Sequence, residues 1–276
     1  MSSRADAALA VLREASQLQP AAFSTSFGAE DMVVLDLIRR NDLPIGIFTL
    51  DTGRLPEETY RLMQRVEARY GRCFVTYFPQ TEAVERLVAA HGINGFYDSV
   101  EKRKACCAVR KLEPLARALA GKAAWVTGLR AAQSTTRTGL APREWDAGQM
   151  LEKFNPLHDW SEADVWDYIR AHDVPYNELH DRFYPSIGCA PCTRAITPGE
   201  DVRAGRWWWE SPASKECGLH SRPHSGGASS KANVSAANVK AEAAPAAAAG
   251  RRQNADTKEC GLHSRRAVAL KIEEVT

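Results

Sequence analysis

Seven cysteines stand in this chain of 276 residues, and four of them form two tight pairs, Cys106-Cys107 and Cys189-Ala190-Pro191-Cys192. Four thiolates suit either a tetrahedral zinc ion or an iron–sulfur cluster. Structural zinc sites favour two separated pairs, each with a short spacer, because one ion must be gripped from both sides. Adjacent cysteines serve such an ion poorly, since neighbouring side chains diverge, whereas a cubane with well-separated corners accepts the divergence. Spacing alone leaves both groups open. The odd cysteine total argues against a plain disulfide framework, and clustered cysteines in a reducing compartment point to metal or catalysis. Cys73 opens the apolar run Cys73–Phe78 and reads as a buried strand residue.

A different chemistry is suggested by Cys217, within Lys215-Glu216-Cys217-Gly218-Leu219-His220. A thiol with pKa about 8.5 is only about 3% ionised at pH 7, and lowering it to about 6.5 gives roughly 75% thiolate. Lys215, His220 and the upstream Arg203 and Arg206 could supply that lowering. An ionised cysteine needs no general base, which suits attack on sulfur with a phosphate leaving group. Lys215–Arg222 recurs without change as Lys258–Arg265, so a local duplication makes Cys260 a second candidate nucleophile. Cys217 is preferred, being nearer to Arg206 with no linker to order. Residues 222–256, rich in Ala, Ser, Gly, Asn and Lys and without aromatics, are expected to be a flexible linker.

Positive charge gathers around the same places. Lys102, Arg103, Lys104, Arg110 and Lys111 surround the double cysteine, Arg130 and Arg137 flank the loop from Gly128, and Arg203 and Arg206 precede Trp207–Trp209. A solvated surface role is expected for Lys102 and Lys104. Lys111, one helical turn after Cys107, is expected to stand between the cysteines and a bound anion. Arginine adds a bidentate fork for phosphate or sulfate oxygens. Ser24–Glu30 is a strand–turn–helix whose backbone N–H groups could cradle an anion, although every such turn looks much the same.

The elements that must position these residues follow from hydrophobic periodicity. Helices are predicted over residues 4–17, 29–40, 56–70, 81–91 and 161–172, and strands over 21–27, 45–50, 74–78 and 123–129. Pro56 suits a first helical turn, and Ser161 with Asp164 three residues on suits a helix N-cap. Strands alternating with helices predict an α/β fold, a mainly parallel sheet with helices on both faces, followed by a flexible C-terminal tail. In such a sheet ligands sit at the carboxyl ends of the strands, which singles out the loops Ser24–Glu30, Asp51–Arg54 and Gly128–Arg137. Apolar and charged fractions of 44% and 25% are those of a globular chain. A net charge of +2 implies no general affinity for nucleic acid or membrane, so an anion site must be built locally. Early charges at Arg4, Asp6, Arg13 and Glu14 exclude a signal-peptide core, and no run approaches a membrane span, so a cytoplasmic location is expected.

Taken together the motifs resemble the assimilatory adenylyl-sulfate (APS) reductase family. The resemblance is carried by Ser24–Asp31, Leu50–Thr59, Cys106-Cys107-Ala-Val-Arg-Lys111, Gly128-Leu-Arg130 with Gln133, Ser134 and Arg137, and Asn155–Leu157. It continues through Gly188–Arg194, Gly205–Glu210 and Lys215–His220, spanning about residues 20–220. It implies a fold of the adenine nucleotide α-hydrolase-like, PP-loop type, in two regions: residues 1–210 binding the sulfonucleotide and residues 211–276 forming the tail. It implies a [4Fe–4S] cluster on Cys106, Cys107, Cys189 and Cys192. Cys217, assisted by His220, would attack the sulfur of adenylyl sulfate and release AMP, and thioredoxin or a similar dithiol would then free sulfite. Lys111, Arg203 and Arg206 would hold the phosphosulfate. Ser24, Ser26, Gly28, Leu50, Asp51, Thr52, Arg54, Arg130 and Arg137 would contact the substrate. The duplicated motif at Cys260 departs from the family pattern of one terminal cysteine. Alternatives are reduction of 3′-phosphoadenylyl sulfate (PAPS), whose specific enzymes generally lack the two cysteine pairs, a PP-loop thiolation enzyme, or a zinc-stabilised interaction protein. A homo-oligomer is left open.

Overall fold

The computed structural model describes residues 3–133 and 139–211. Ser134, Arg137, Cys217, His220, Cys260 and the tail from residue 212 onward lie outside the described residues. The chain runs through α1 (Ser3–Gln17), β1 (Ala21–Thr25), α2 (Ala29–Arg40), β2 (Ile45–Leu50), α3 (Glu57–Tyr70), β3 (Phe74–Tyr77) and α4 (Thr81–His91). Pro56 does not enter α3 but caps it, with φ −62° and ψ 149°, one residue before the helix starts. Cys73 likewise falls just short of β3, half-buried against the main core.

From Val100 the backbone makes one continuous helical stretch that periodicity did not reveal: α5 (Val100–Cys107), a wide π-helical turn (Ala108–Leu112) and α6 (Glu113–Leu119). Pro114 explains the wide turn. It has no N–H for the Arg110 carbonyl, and the Glu113 N–H bonds back five residues to Ala108. Arg110 and Lys111 therefore emerge from a turn with an extra residue, immediately after the double cysteine.

The sheet is completed by β4 (Ala124–Val126), β5 (Arg143–Asp146) and β6 (Leu151–Phe154), in the order β3-β2-β1-β4-β6-β5. All pairings are parallel except the edge hairpin β5–β6. This antiparallel addition was not expected from the sequence. Connections leave β1 toward β2 on one side, while β4 sits on the other, so the order reverses between β1 and β4. A crevice opens at such a reversal, beyond the carboxyl ends of the strands.

Helices cover both faces of the sheet. Successive β1 residues point to opposite sides. Phe23 joins one core with Leu12 of α1, Leu35 and Ile38 of α2, and Ile169 of α7 (Glu162–Ala171). Ala22 joins the other, where Leu115, Ala118 and Leu119 of α6 pack on Phe48 and Trp125. Ser161 caps α7 reciprocally with Asp164, as its position in the sequence suggests. Strands β1 and β4 end earlier than their apolar runs, and Phe27 adopts φ 59° where the chain turns into α2. No helix among the described residues is long and apolar enough to cross a membrane.

Candidate active site

The crevice holds a cavity of about 850 Å³ whose first wall is the strand-end loops. Ser24 accepts a hydrogen bond from Trp125 Nε1 (2.8 Å), which leaves its own proton for a ligand. The N–H and hydroxyl of Ser26 both donate to Asp31 Oδ2, at 2.6 and 2.8 Å. Burial outweighs these bonds and raises the Asp31 carboxyl to about 6. Gly128 of the facing loop lies against that carboxylate so closely that an added Cβ would collide with it, and would also approach the Asp31 nitrogen to 3.2 Å. Arg130 donates through Nε and Nη2 to Glu30 Oε1 (2.9 and 2.7 Å), so its buried guanidinium neutralises an acid of α2. The anion cradle expected of this turn thus carries two carboxylates of its own, Glu30 and Asp31. This end favours the neutral, hydrogen-bonding part of a ligand over its charged part.

The opposite wall is cationic and thiol-lined. Lys111, Arg203, Arg206 and Cys189 all line the cavity. The guanidinium of Arg206 packs on Gly188, where any Cβ would collide with it, and donates to Ile187 O at 3.1 Å. Leu50 at the end of β2 and Thr52 in the loop after it line the cavity, and Thr52 Oγ1 lies 3.3 Å from Cys189 Sγ. Asp51 and Arg54 of the same loop are not among the lining residues. Asp51 accepts from the Gly53 N–H (2.8 Å) and Tyr60 hydroxyl (3.0 Å), shaping the turn. Arg54 reaches away to Ile93 O at 2.9 Å and over the Phe96 ring. Its carbonyl meanwhile accepts from the Ala190 N–H at 2.8 Å, tying this loop to the second cysteine pair.

Cys107 and Cys189 are buried, Cys106 and Cys192 half-buried, and all four are free thiols. Burial, then the charges of Cys189 and Cys107, pushes Cys192 up to about 12. Burial also raises Cys106, against the pull of Arg110. At Cys189 burial opposes ionisation, but Lys111, the Thr52 hydroxyl, Arg206 and Arg110 outweigh it and hold the thiol below its ordinary range. The four sulfurs therefore share one electrostatic neighbourhood rich in cations. Among the described residues no three His, Cys, Asp or Glu side chains converge as a single metal ion would require. Four free thiols are, by their chemistry, a donor set for a soft, thiophilic metal group.

Around the thiols, Lys102 is half-exposed and pairs with Asp98 at 2.7 Å, in keeping with a surface role. Arg103, one residue on, is fully buried and forms a two-point ion pair with Glu210 (Nε–Oε1 2.9 Å, Nη2–Oε2 2.8 Å). Removing one member of such a buried pair costs about 3–5 kcal/mol. A basic tripeptide gave no sign of this, because the partner lies 107 residues away. His180 is a second residue that sequence reasoning passed over. It lines the cavity beside Trp166, its Nε2 finds no hydrogen-bond partner among the described residues, and burial lowers its pKa.

Residues 20–195 match the model of the phosphoadenosine phosphosulfate reductase domain. The chain is 65% identical over 206 residues to an adenosine 5′-phosphosulfate reductase of Allochromatium vinosum, covering 75% of this chain and 80% of that one. It is 56% identical to an adenosine 5′-phosphosulfate reductase of Burkholderia cepacia, over 79% and 86% of the two chains. The crystal structure of phosphoadenylyl-sulfate reductase from Candida auris, in a phosphate complex, superposes with a TM-score of 0.59 and 31% identity, covering 69% of this chain and 90% of that one. With a matching domain over more than half its length and a cavity at the sheet's reversal point, the chain belongs to the phosphoadenosine phosphosulfate reductase domain family.

Proposed function

We propose that the chain reduces adenylyl sulfate to sulfite and AMP, with a cysteine S-sulfonate as intermediate, in cytoplasmic sulfate assimilation leading to cysteine. The observation that carries this reading is the polarity of the cavity: Lys111, Arg203 and Arg206 beside Cys189 at one end, and the hydroxyl and carboxylate groups of the strand loops at the other. An anionic phosphosulfate joined to a neutral nucleoside has that same polarity. The relatives named adenosine 5′-phosphosulfate reductase support the same substrate.

In the proposed reaction the thiolate of Cys217 attacks the sulfur of adenylyl sulfate. A bond forms between Cys217 Sγ and the sulfonate sulfur, the sulfur–oxygen bond to phosphate breaks, and AMP leaves. His220 and the nearby cations favour the thiolate. A thiolate of thioredoxin or a similar dithiol protein then attacks Cys217 Sγ, expelling sulfite, and its second thiol resolves the mixed disulfide. The two electrons come from that dithiol. Lys111, Arg203 and Arg206 hold the phosphosulfate oxygens, and Arg supplies the forked geometry for them. Ser24, Ser26, Gly28, Leu50 and Thr52 contact the nucleoside, with Arg137 completing the loop after Gly128. Cys106, Cys107, Cys189 and Cys192 would hold a [4Fe–4S] cluster, whose contribution when bound is negative charge and rigid ligation of the anion-binding wall.

The test is anaerobic purification, addition of adenylyl sulfate alone, and intact-mass measurement. A gain of one sulfonate is expected in the parent chain and in Cys260→Ser, and none in Cys217→Ser. A catalytically active chain that never acquires the adduct overturns the mechanism, and an active Cys217→Ser overturns the choice of nucleophile. The Candida auris relative favours PAPS as a second reading. Competing the two sulfonucleotides in one assay separates them, with adenylyl sulfate expected to win.

A further inference from the structure

We propose that the buried Arg103–Glu210 ion pair is a positioning device that fixes the strap Arg203–Glu210 against α5, and through the Trp207 ring sets Arg206 in the cavity. The inference rests on the function proposed above and adds residues that contact no substrate. Arg103 and Glu210 are 0% and 3% exposed, and their two parallel hydrogen bonds fix both the distance and the plane of the pair. The Arg103 guanidinium lies over the Trp207 ring at 4.7 Å, and the Arg206 guanidinium lies over the same ring at 4.8 Å. The Trp207 backbone N–H donates to Cys192 O at 3.1 Å, and its side chain is fully buried, so close packing leaves the ring little freedom to follow a displaced neighbour. Arg103 also bonds to the Cys107 side chain. One arginine thus touches the first cysteine pair, the strap and the ring that supports a cavity cation.

The strap is tied at its other end as well. Arg194 N–H donates to Gly205 O (3.0 Å), Thr193 and Arg206 form an isolated antiparallel bridge, and a Cβ at Gly205 would strike the Arg194 carbonyl. Glu210 is followed by Ser211, beyond which lies the segment bearing Cys217. Loss of the pair therefore releases the orientation of Arg206 in the cavity. Misplacing a positioned group by about 1 Å can cost on the order of 10²-fold in rate.

The experiment compares Glu210→Gln, Arg103→Lys and the double variant Arg103→Met/Glu210→Met in the full chain. Replacing a buried ion pair by apolar side chains of similar size is often neutral for folding, so the double variant keeps the test open should the single ones fail to fold. Iron per chain and the melting temperature are measured first, then KM and kcat for adenylyl sulfate, single-turnover adduct formation, and inhibition by adenosine. The double variant is expected to keep its iron and its adenosine inhibition, while KM rises about tenfold and adduct formation slows on the order of 10²-fold. A folded, iron-replete double variant with parental KM and adduct rate overturns the positioning role. Equal losses in adenosine inhibition and in KM also overturn it, because they mark a general loosening of the cavity. A parental chain that ignores adenylyl sulfate refutes the proposed function itself, a distinct result.

Discussion

The two walls of the cavity are built in different ways. The strand-end wall combines contacts within its turns, Ser26 to Asp31 and Asp51 to Gly53, with ties between the ends of neighbouring strands, Trp125 to Ser24 and Arg130 to Glu30. The thiol-bearing wall is assembled by ties across the chain: Thr52 to Cys189, Tyr97 to Pro191 and Arg103 to Glu210 are separated by 137, 94 and 107 residues. The first wall follows from the parallel sheet and should persist whenever the sheet forms. The second exists only when distant segments meet around four cysteines. Nucleoside recognition and anion handling are therefore separable properties, and substitutions can address one without the other.

The largest separation is expected at Lys111. It lines the cavity from the π-helical turn and is the foremost cation acting on Cys189. Lys111→Ala should lower kcat for adenylyl sulfate about 10²–10³-fold, the range for removing a preorganised charge from a reacting anion. Visible absorbance of the proposed cluster and inhibition by adenosine should persist. Loss of absorbance with unchanged turnover per cluster would show that Lys111 serves metal assembly and not the anion.

Gly128 probes the other wall. A methyl group there strikes the Asp31 carboxylate and crowds its backbone nitrogen at 3.2 Å, so relief requires turning the carboxylate away from the two hydrogen bonds it accepts from Ser26. Gly128→Ala should weaken adenosine inhibition by about 1–3 kcal/mol, the usual cost of overpacking, with iron content intact. Equal damage to the iron content would mean that the two walls are mechanically coupled and not separable.

What the sequence disclosed divides along the same line. The α/β alternation, the capping box at Ser161 and the strand-end loops could all be read because their causes are local: apolar periodicity, a hydroxyl three residues from an acid, glycine beside small polar residues. The cysteine pairs were visible as a pattern, and only resemblance proposed the cluster they would hold. Long-range commitments stayed hidden. Arg103 looks like Lys102 and Lys104 in sequence but is buried, since Glu210 meets it in space. Arg130 looks like an anion ligand, yet Glu30, 100 residues earlier, engages it. Arg54 turns from the cavity toward Ile93 and Asn94. The stretch α5–α6 escaped periodicity because Pro114 inserts an extra residue and shifts the apolar register. The hairpin β5–β6 escaped it because the edge strand β5 (Arg-Glu-Trp-Asp) and the four-residue β6, with Glu152 and Lys153 at its centre, carry little apolar signal.

The smallest expected effect concerns the proton on Asp31, and it tests whether the strand-end wall holds its carboxylate out of water. Burial raises this group from 3.8 to about 6 in the folded chain. Between those values the folded state binds a proton that the unfolded state has released, so stability falls as pH rises. Its contribution is full below pH 3.8, declines through about 6, and is flat above. Asp31→Asn cannot ionise, so the stability difference between parent and variant isolates this one group. That difference should move against the parent by about 1–2 kcal/mol between pH 4 and pH 7, less than the full linkage because the site is partly solvated. Urea unfolding at a series of pH values measures it. A difference that is flat, or that grows in the parent's favour with pH, would mean the Ser26 hydrogen bonds stabilise the ionised carboxylate more than burial penalises it. The first wall would then present a fixed negative charge at every working pH, and its preference for the neutral half of a ligand would be electrostatic from pH 4 upward, instead of setting in only as Asp31 ionises near 6.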